Sequence, residues 1–297
     1  MREALKNFVL SFFGIIFLLG IGWIVLTNRA LAKPDPHPFP HPFLEALSHG
    51  PKPLVISYRG LTTAAPPNSI AAFRAAAALG PNVIFWVDAR PTADGTWVAW
   101  TDRSLAEDAH HWVSYMHVAD IATADAGFNF SKDGGKTFPF RGKGFHVETL
   151  EKILTEFPDR KFVINLQDYQ EGGKEQIIKA IEGAHASDRA LISSPEDGIL
   201  RDLREAEPTW LFGTSRAQVT RLIMLSQLFL ASSAPMRGDV FVWDPLIPLH
   251  KMNEKVWAEV ARRKMKSVVA IDEDTSKEWS VRADAVVTSD PAAFVRH

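Results

Sequence analysis

The chain of 297 residues contains no cysteine. That absence excludes disulfides, thiolate zinc sites, a cysteine nucleophile and a lipid-modified cysteine. It also lacks a charge imbalance: 33 basic against 35 acidic side chains leave a formal net charge of -2. Without a basic excess there is no electrostatic footprint for nucleic acid. No internal repeat is visible, so a solenoid or propeller is not indicated. What is present is a hydrophobic share of 46%, ordinary for a globular chain with a real core.

The first feature is a run without charge, Phe8 to Leu26 (FVLSFFGIIFLLGIGWIVL). At about 1.5 Å rise per residue, such a helix spans a hydrocarbon core of about 30 Å. Arg2 and Lys6 precede it and favour a cytoplasmic start, while Arg29 and Lys33 beyond it weaken that bias. Ala30-Leu31-Ala32 offers the small residues of a signal-peptidase site. The run is long for a secretory segment, so residues 1–27 are read as a retained anchor, with a cleaved signal and a buried core helix as alternatives. Anchor and signal both place the rest of the chain outside the cytoplasm, as in a bacterial envelope. Residues 28–52 read as a proline-rich linker, because Pro34 to Phe43 (PDPHPFPHPF) alternates proline with other residues and proline removes donors and fixes φ. Its His37 and His41 lack companion ligands and read as plain linker residues.

From residue 53 short apolar runs alternate with helical patterns. Strands are expected at Leu54-Val55-Ile56, Val83 to Asp88, Trp97 to Trp100, Lys161 to Leu166, Leu191 to Ser193, Trp210 to Phe212, Val240 to Trp243, Ser267 to Ile271 and Ala285 to Thr288. Helices are expected at Ser69 to Leu79, with Ser69 as N-cap, and at Thr149 to Phe157, Gly173 to Ala186 and Pro195 to Ala206. About eight strands alternating with helices predict parallel pairing with helices outside. In about 250 residues this suits a closed (β/α)8 barrel of the TIM type better than an open sheet. Val219 to Ala231 (VTRLIMLSQLFLA) is very apolar but short for a bilayer, and is expected either as a buried helix or as one resting on a membrane face.

Between Val55 and Asp102 a string of short motifs resembles the signature of the glycerophosphodiester phosphodiesterases. That family has His-Arg-Gly, Pro-Glu-Asn-Thr, Glu-x-Asp, Thr-x-Asp-Gly and His-Asp in this order. The chain reads Tyr58-Arg59-Gly60, Pro66-Pro67-Asn68-Ser69, Trp86-Val87-Asp88, Thr92-Ala93-Asp94-Gly95 and Thr101-Asp102. The spacing is kept apart from about one extra residue after Gly80. Val147-Glu148-Thr149-Leu150 is similar to the family's Pro-Thr-Leu helix start, and Gln167-Asp168-Tyr169 occupies the place of its Glu-x-Lys. Ser193 to Pro208 and Ala283 to Pro291 are similar to its later strand ends. The resemblance covers nearly all of residues 53–297 and implies the same eight-stranded barrel.

The resemblance also implies a reaction that this sequence is poorly equipped to perform. The family cleaves a phosphodiester with two histidines as acid and base, and with acidic residues holding a divalent cation such as calcium or magnesium. Here the histidine positions carry Tyr58 and Thr101, and the carboxylate positions carry Pro67, Trp86 and Gln167, with Tyr169 in place of the lysine. A phenol with an ordinary pKa near ~10 is a poor base at neutral pH, and a hard cation wants about six oxygens, several of them carboxylate. Arg59, Asn68, Asp88 and Asp102 are the polar motif residues retained. The expectation is that the metal-assisted cleavage is lost, with Asp88 as a weak remnant of the metal site.

The substituted mouth gains aromatic surface from Tyr58, Trp86 and Tyr169, with Trp100 beside Thr101, and keeps Arg59 for a phosphate or carboxylate. Tyr58, Arg59, Trp86, Asp88, Thr101, Gln167 and Tyr169 are therefore the candidate ligand-binding residues, although Trp86 could equally fill the void of the lost metal. Outside the motifs, His110, His111, His117 and His146 and the acidic cluster Asp272-Glu273-Asp274 read as solvated loop residues. Three functions are compatible with this pattern: a tethered pseudoenzyme binding a phospholipid-derived or sugar ligand, or an envelope protein partner; a phosphodiester hydrolase with a rebuilt site; and a structural spacer at the membrane.

Overall fold

The computed structural model describes residues 2–30, 40–105, 111–168, 173–271, 279 and 281–295. Tyr169, His110, His37 and the cluster Asp272-Glu273-Asp274 lie outside them. Eight parallel strands form the barrel: β1 (Leu54–Tyr58), β2 (Ile84–Pro91), β4 (Phe162–Leu166), β5 (Ala190–Ser193), β6 (Leu211–Phe212), β7 (Val240–Trp243), β8 (Lys266–Ala270) and β9 (Ala285–Thr288). Their order is β6-β5-β4-β2-β1-β9-β8-β7. A parallel bridge between Gly213 and Val240 brings the two ends of that series together. Two backbone hydrogen bonds reinforce it, Thr214 N–H to Val240 O at 2.9 Å and Asp239 N–H to Phe212 O at 2.7 Å. The barrel expected from the alternating pattern is the architecture observed.

β3 (Trp97–Val98) differs from expectation. It pairs antiparallel with the far end of β2, through Arg90–Val98 and Pro91–Trp97, and is not a barrel stave. The run Trp97 to Trp100 is apolar because it packs two ways. Trp97 and Ala99 join the layer between sheet and helices. Val98 and Trp100 join a small core with Leu105, Val113, Ile121 and Val147. That small core, which includes the short α4 (Val118–Ile121), organises an excursion at the C-terminal end of β2.

Period-two alternation divides the strands between two environments. Leu54, Ile56, Ile84, Trp86, Val163, Leu191, Leu211, Val242, Val268 and Val287 fill the barrel interior. Phe85, Val87, Ala89, Phe162 and Ile164 face outward, against α3 (Ile70–Ala77) and α5 (Leu150–Glu156). Ser69 caps α3 through the Ala72 amide, and Thr149 caps α5 through the Lys152 amide. Around the ring follow α6 (Gly173–Gly183), α7 (Asp197–Ala206), α8 (Arg216–Gln227) and α9 (Glu254–Arg262). α8 is the apolar segment around Val219; its Val219, Leu222 and Ile223 pack in the core beside β7 and β8.

The proline-rich stretch is not wholly extended. α2 (Pro42–His49) starts at proline, where a missing N–H costs nothing. His41 caps it, accepting from the Phe43 amide, and bonds Ser187 O through its other ring nitrogen at 3.1 Å. Phe43 and Leu47 are fully buried in the interior cluster that Leu54 opens. They close the floor of the barrel, at the end where strands begin.

α1 (Arg2–Ala30) precedes all this. Among the described residues it is the one helix long and apolar enough to cross a membrane, over Lys6–Val25, and that window is 0% buried. Its full exposure argues against the buried-core alternative.

Candidate functional site

β1 and β2 bring the retained motif residues to the C-terminal end of the barrel, where barrel sites form. The turn after β1 is built from three residues with positive φ: Arg59 (63°), Gly60 (86°) and Asn68 (60°). Gly60 is required on two counts. Its backbone favours glycine, and a Cβ there would stand 2.6 Å from that of Ala72. Arg59 has no such excuse. A left-handed arginine is a local cost of roughly 1 kcal/mol or more that the surrounding contacts must hold. Its amide donates to Trp86 O and its carbonyl accepts from the Asn68 amide, both at 2.9 Å.

Asp88 is the centre of the site and is completely buried. Its Oδ1 accepts from the Trp86 indole at 2.9 Å, Asn165 Nδ2 at 2.8 Å and Gln167 Nε2 at 3.0 Å. Its Oδ2 accepts from the Thr101 hydroxyl at 2.8 Å. Arg59 Nε lies 2.6 Å from the same oxygen. The angle makes this an ion pair, not a directed hydrogen bond. Four hydrogen bonds and one cation match the roughly four acceptor positions of a carboxylate. Asn68 completes the network, accepting from the Asp88 amide and donating to Thr101 Oγ1, both at 3.1 Å.

A divalent cation does not fit this donor set. The Asp88 oxygens are committed to protein donors, and the indole and the two amides that approach Oδ1 point N–H groups at the place where a cation would need oxygens. Among the described residues no three His, Asp or Glu side chains converge. Nor are proton shuttles available at the two histidine positions. Thr101 spends its proton on Asp88. Tyr58 accepts from Arg59 NH2, and the same guanidinium lies over its ring, 4.2 Å from the centroid. Burial first, then the Asp88 charge, push the Tyr58 phenol well above its ordinary 10.0, against the opposing pull of Arg59.

Of the predicted aromatic surface, Trp86 supplies none to the mouth. It is fully buried, an interior packing residue with its N–H turned to Asp88, and Tyr58 meets it edge-on at 5.8 Å. Trp100 does line the mouth, with its indole tied to Ser104 O at 3.0 Å. Two cavities open there. One of about 240 Å³ is lined by Arg59, Asn68, Trp100, Thr101, Asp102 and Phe130. The other, of about 210 Å³, is lined by Tyr58, Ile247, Leu249, Ile271 and Val287 together with the polar Thr288 and Ser289. Gln167 is half-buried at the end of β4. His111, His117 and His146 are exposed and line neither cavity.

Four participants were not singled out from sequence. Asn165 stands two residues before Gln167, on the same face of β4. Arg90 stands two residues after Asp88, is buried, and ties Asp168 (2.9 Å) to the Thr101 carbonyl (2.7 Å). Arg216, at the start of α8, pairs with Asp244 just past β7 at 3.1 Å, and both charges are felt by Tyr58. Same-face spacing would have found the first two. Arg216 and Asp244 carry no local signal, since only barrel closure brings β6 and β7 ends together.

Comparison with known proteins agrees with this geometry. The profile of the glycerophosphoryl diester phosphodiesterase family matches residues 59–235. A glycerophosphodiester phosphodiesterase of Caldanaerobacter subterraneus is 30% identical over 164 residues, 53% of this chain and 64% of that protein. A probable glycerophosphodiester phosphodiesterase 2 of Mycobacterium tuberculosis is 32% identical over 156 residues, 52% of each chain. The chain thus spans less than two thirds of either relative. Among solved structures, the glycerophosphoryl diester phosphodiesterase domain of an uncharacterised M. tuberculosis protein superposes with TM-score 0.68 at 19% identity, over 83% of this chain and 100% of that one.

Proposed function

We propose, from the premise that this chain belongs to the glycerophosphoryl diester phosphodiesterase family, that it is a membrane-tethered member without hydrolytic activity whose barrel mouth binds an anionic ligand or partner. One observation carries this reading: the single carboxylate left at the old metal position is occupied on both oxygens by four protein hydrogen-bond donors and one guanidinium. A metal-dependent phosphodiesterase must leave such oxygens open to the cation, and this chain closes them with its own side chains.

The same network suits recognition. Arg59 is held by Asp88 and Tyr58 but still borders the larger cavity. A positioned guanidinium at a concave site fits a phosphate or carboxylate. Trp100 lines the same cavity, and the neighbouring one, with Ile247, Leu249, Ile271 and Val287 in its wall, offers room for an aliphatic portion, so a phospholipid-derived or sugar phosphate ligand fits this chemistry. An envelope protein presenting an acidic side chain would meet the same group. α1 supports a tether, or a signal segment, that places the barrel outside the cytoplasm.

The deciding experiment measures hydrolysis of glycerophosphodiesters by the full chain with calcium, magnesium or chelator, beside Asp88→Ala. The expected result is no turnover above blank and no metal-induced rise in Tm. Metal-dependent turnover abolished by Asp88→Ala would overturn the proposal, and would make the chain a working hydrolase like those its relatives' names describe.

A further inference from the structure

The apolar segment around Val219 divides into two parts. Val219, Leu222 and Ile223 are core residues of α8. The far end of the helix is different: Met224, Leu228 and Phe229 are 61%, 62% and 72% exposed. Phe229 holds a left-handed φ of 58°, an uncommon conformation for a bulky aromatic residue, which ends the helix with the ring in solvent. Lys255 Nζ sits 3.5 Å from the centroid of that ring, and Lys251 is exposed nearby on the same approach to α9. Exposed aliphatic residues beside an aromatic ring and lysines are the composition of a surface that sits at a lipid interface.

The place of this patch in the fold says which surface covers it. α8 leaves the mouth at Arg216, which pairs with Asp244, and its last turn meets the start of α9, where Asn253 Nδ2 donates to Ser226 Oγ at 3.4 Å and Lys255 lies over Phe229, so the patch lies on the flank of the barrel. The turn after α8, Ala231–Ser233, is held by Arg263, whose guanidinium donates to Ser232 O at 3.1 Å and Ala234 O at 2.8 Å. Arg263 closes α9 three residues before β8 begins, so the turn lies toward the floor of the barrel. α1, the apolar helix that could cross a membrane, runs against this same turn. α2 enters the floor from that end too, with Phe43 and Leu47 beneath the strand starts.

We infer that the barrel rests by its flank on the bilayer that holds α1, through Met224, Leu228 and Phe229. The inference builds on the tether of the proposed function.

Because the chain has no cysteine, single-cysteine variants can be labelled without background. Met224→Cys, Leu228→Cys, Tyr115→Cys and Lys136→Cys are made in the full chain, labelled with a polarity-sensitive fluorophore, and reconstituted in phosphatidylcholine–phosphatidylglycerol vesicles with or without spin-labelled quencher lipid. Tyr115 and Lys136 are exposed on the excursion at the mouth side. The expected result is blue-shifted emission at 224 and 228 that the quencher removes severalfold more strongly than at 115 and 136. Stronger quenching at 115 than at 224 and 228 would put the excursion, not this flank, on the bilayer and overturn the inference. So would equal, weak quenching at all four positions, or self-quenching at 224 and 228 without lipid quenching, which would assign the patch to a second copy. Alkaline carbonate extraction of the same vesicles reads the tether by itself. A chain that washes off refutes the anchor, whereas one that stays while 224 and 228 remain unquenched refutes the lean alone.

Discussion

Tyr58 is one of only three tyrosines, and its position between Arg59, Trp86 and Asp88 makes it a sensitive reporter of the mouth. Burial and the Asp88 carboxylate raise its pKa in the folded chain, so the native state favours the neutral phenol. Linkage sets the sign of the effect. Below the unfolded pKa near ~10 both states hold the proton and the contribution is fully present; above it the unfolded chain ionises first, and stability is lost as pH rises toward the folded value. Urea unfolding at rising alkaline pH should therefore show a loss that Tyr58→Phe reduces, and the wild type and Tyr58→Phe should give the same phenolate absorbance until unfolding. A wild-type excess in the folded range would mean that Tyr58 ionises freely. At this scale the sequence spoke clearly about what was replaced, because motif order located Tyr58, Trp86, Thr101 and Gln167. It did not reveal that the four hydrogen-bond donors around Asp88, from Trp86, Thr101, Asn165 and Gln167, converge on one buried carboxylate. Strand alternation tells which residues face inward, but neighbouring strands must be set in register before it is known which inward residues meet.

Elements show the same division. Ser69 was legible as a cap because capping is local: a hydroxyl, three residues, an amide; Thr149, read as the first residue of its helix, is the cap of α5 instead. β3 was legible as an apolar run, yet not as a hairpin arm, since one dipeptide of pairing against β2 leaves almost no periodic trace. α2 was hidden for a different reason. Its prolines were read as a spacer, but proline at the first turn of a helix is permitted, and the residues that fix the helix, Phe43 and Leu47, act through the barrel floor. Phe43→Ala tests this. Removing a fully buried phenylalanine typically costs about 3–5 kcal/mol, which urea unfolding would read as a lowered midpoint with unchanged slope. An effect below about 0.5 kcal/mol, the size expected at a solvated linker, would return the segment to the spacer first expected.

At the scale of the whole molecule, the barrel and the segment before it make separate demands on folding. The barrel class was readable because eight strand-and-helix units in one chain leave few other arrangements, and closure through Gly213 and Val240 satisfies it. The long apolar helix was readable from length and apolarity alone. Where one unit ends and the next begins was not, because that boundary is set by what packs in the interior. Nested truncation can locate it. α1 contributes no buried window to the barrel, so residues 40–297 should unfold within about 0.5 kcal/mol of the full chain when both are measured in the same detergent. Residues 50–297 also lose Phe43, Leu47 and the His41 contact to Ser187. Two buried apolar side chains at about 2–5 kcal/mol each are comparable with the whole stability of a domain, so this shorter chain should fail to give a cooperative transition. If 50–297 unfolds as cooperatively as 40–297, α2 is an accessory; if 40–297 is already destabilised, α1 is more than a separate apolar segment, and the contact it makes with the Ala231–Ser233 turn is part of the fold.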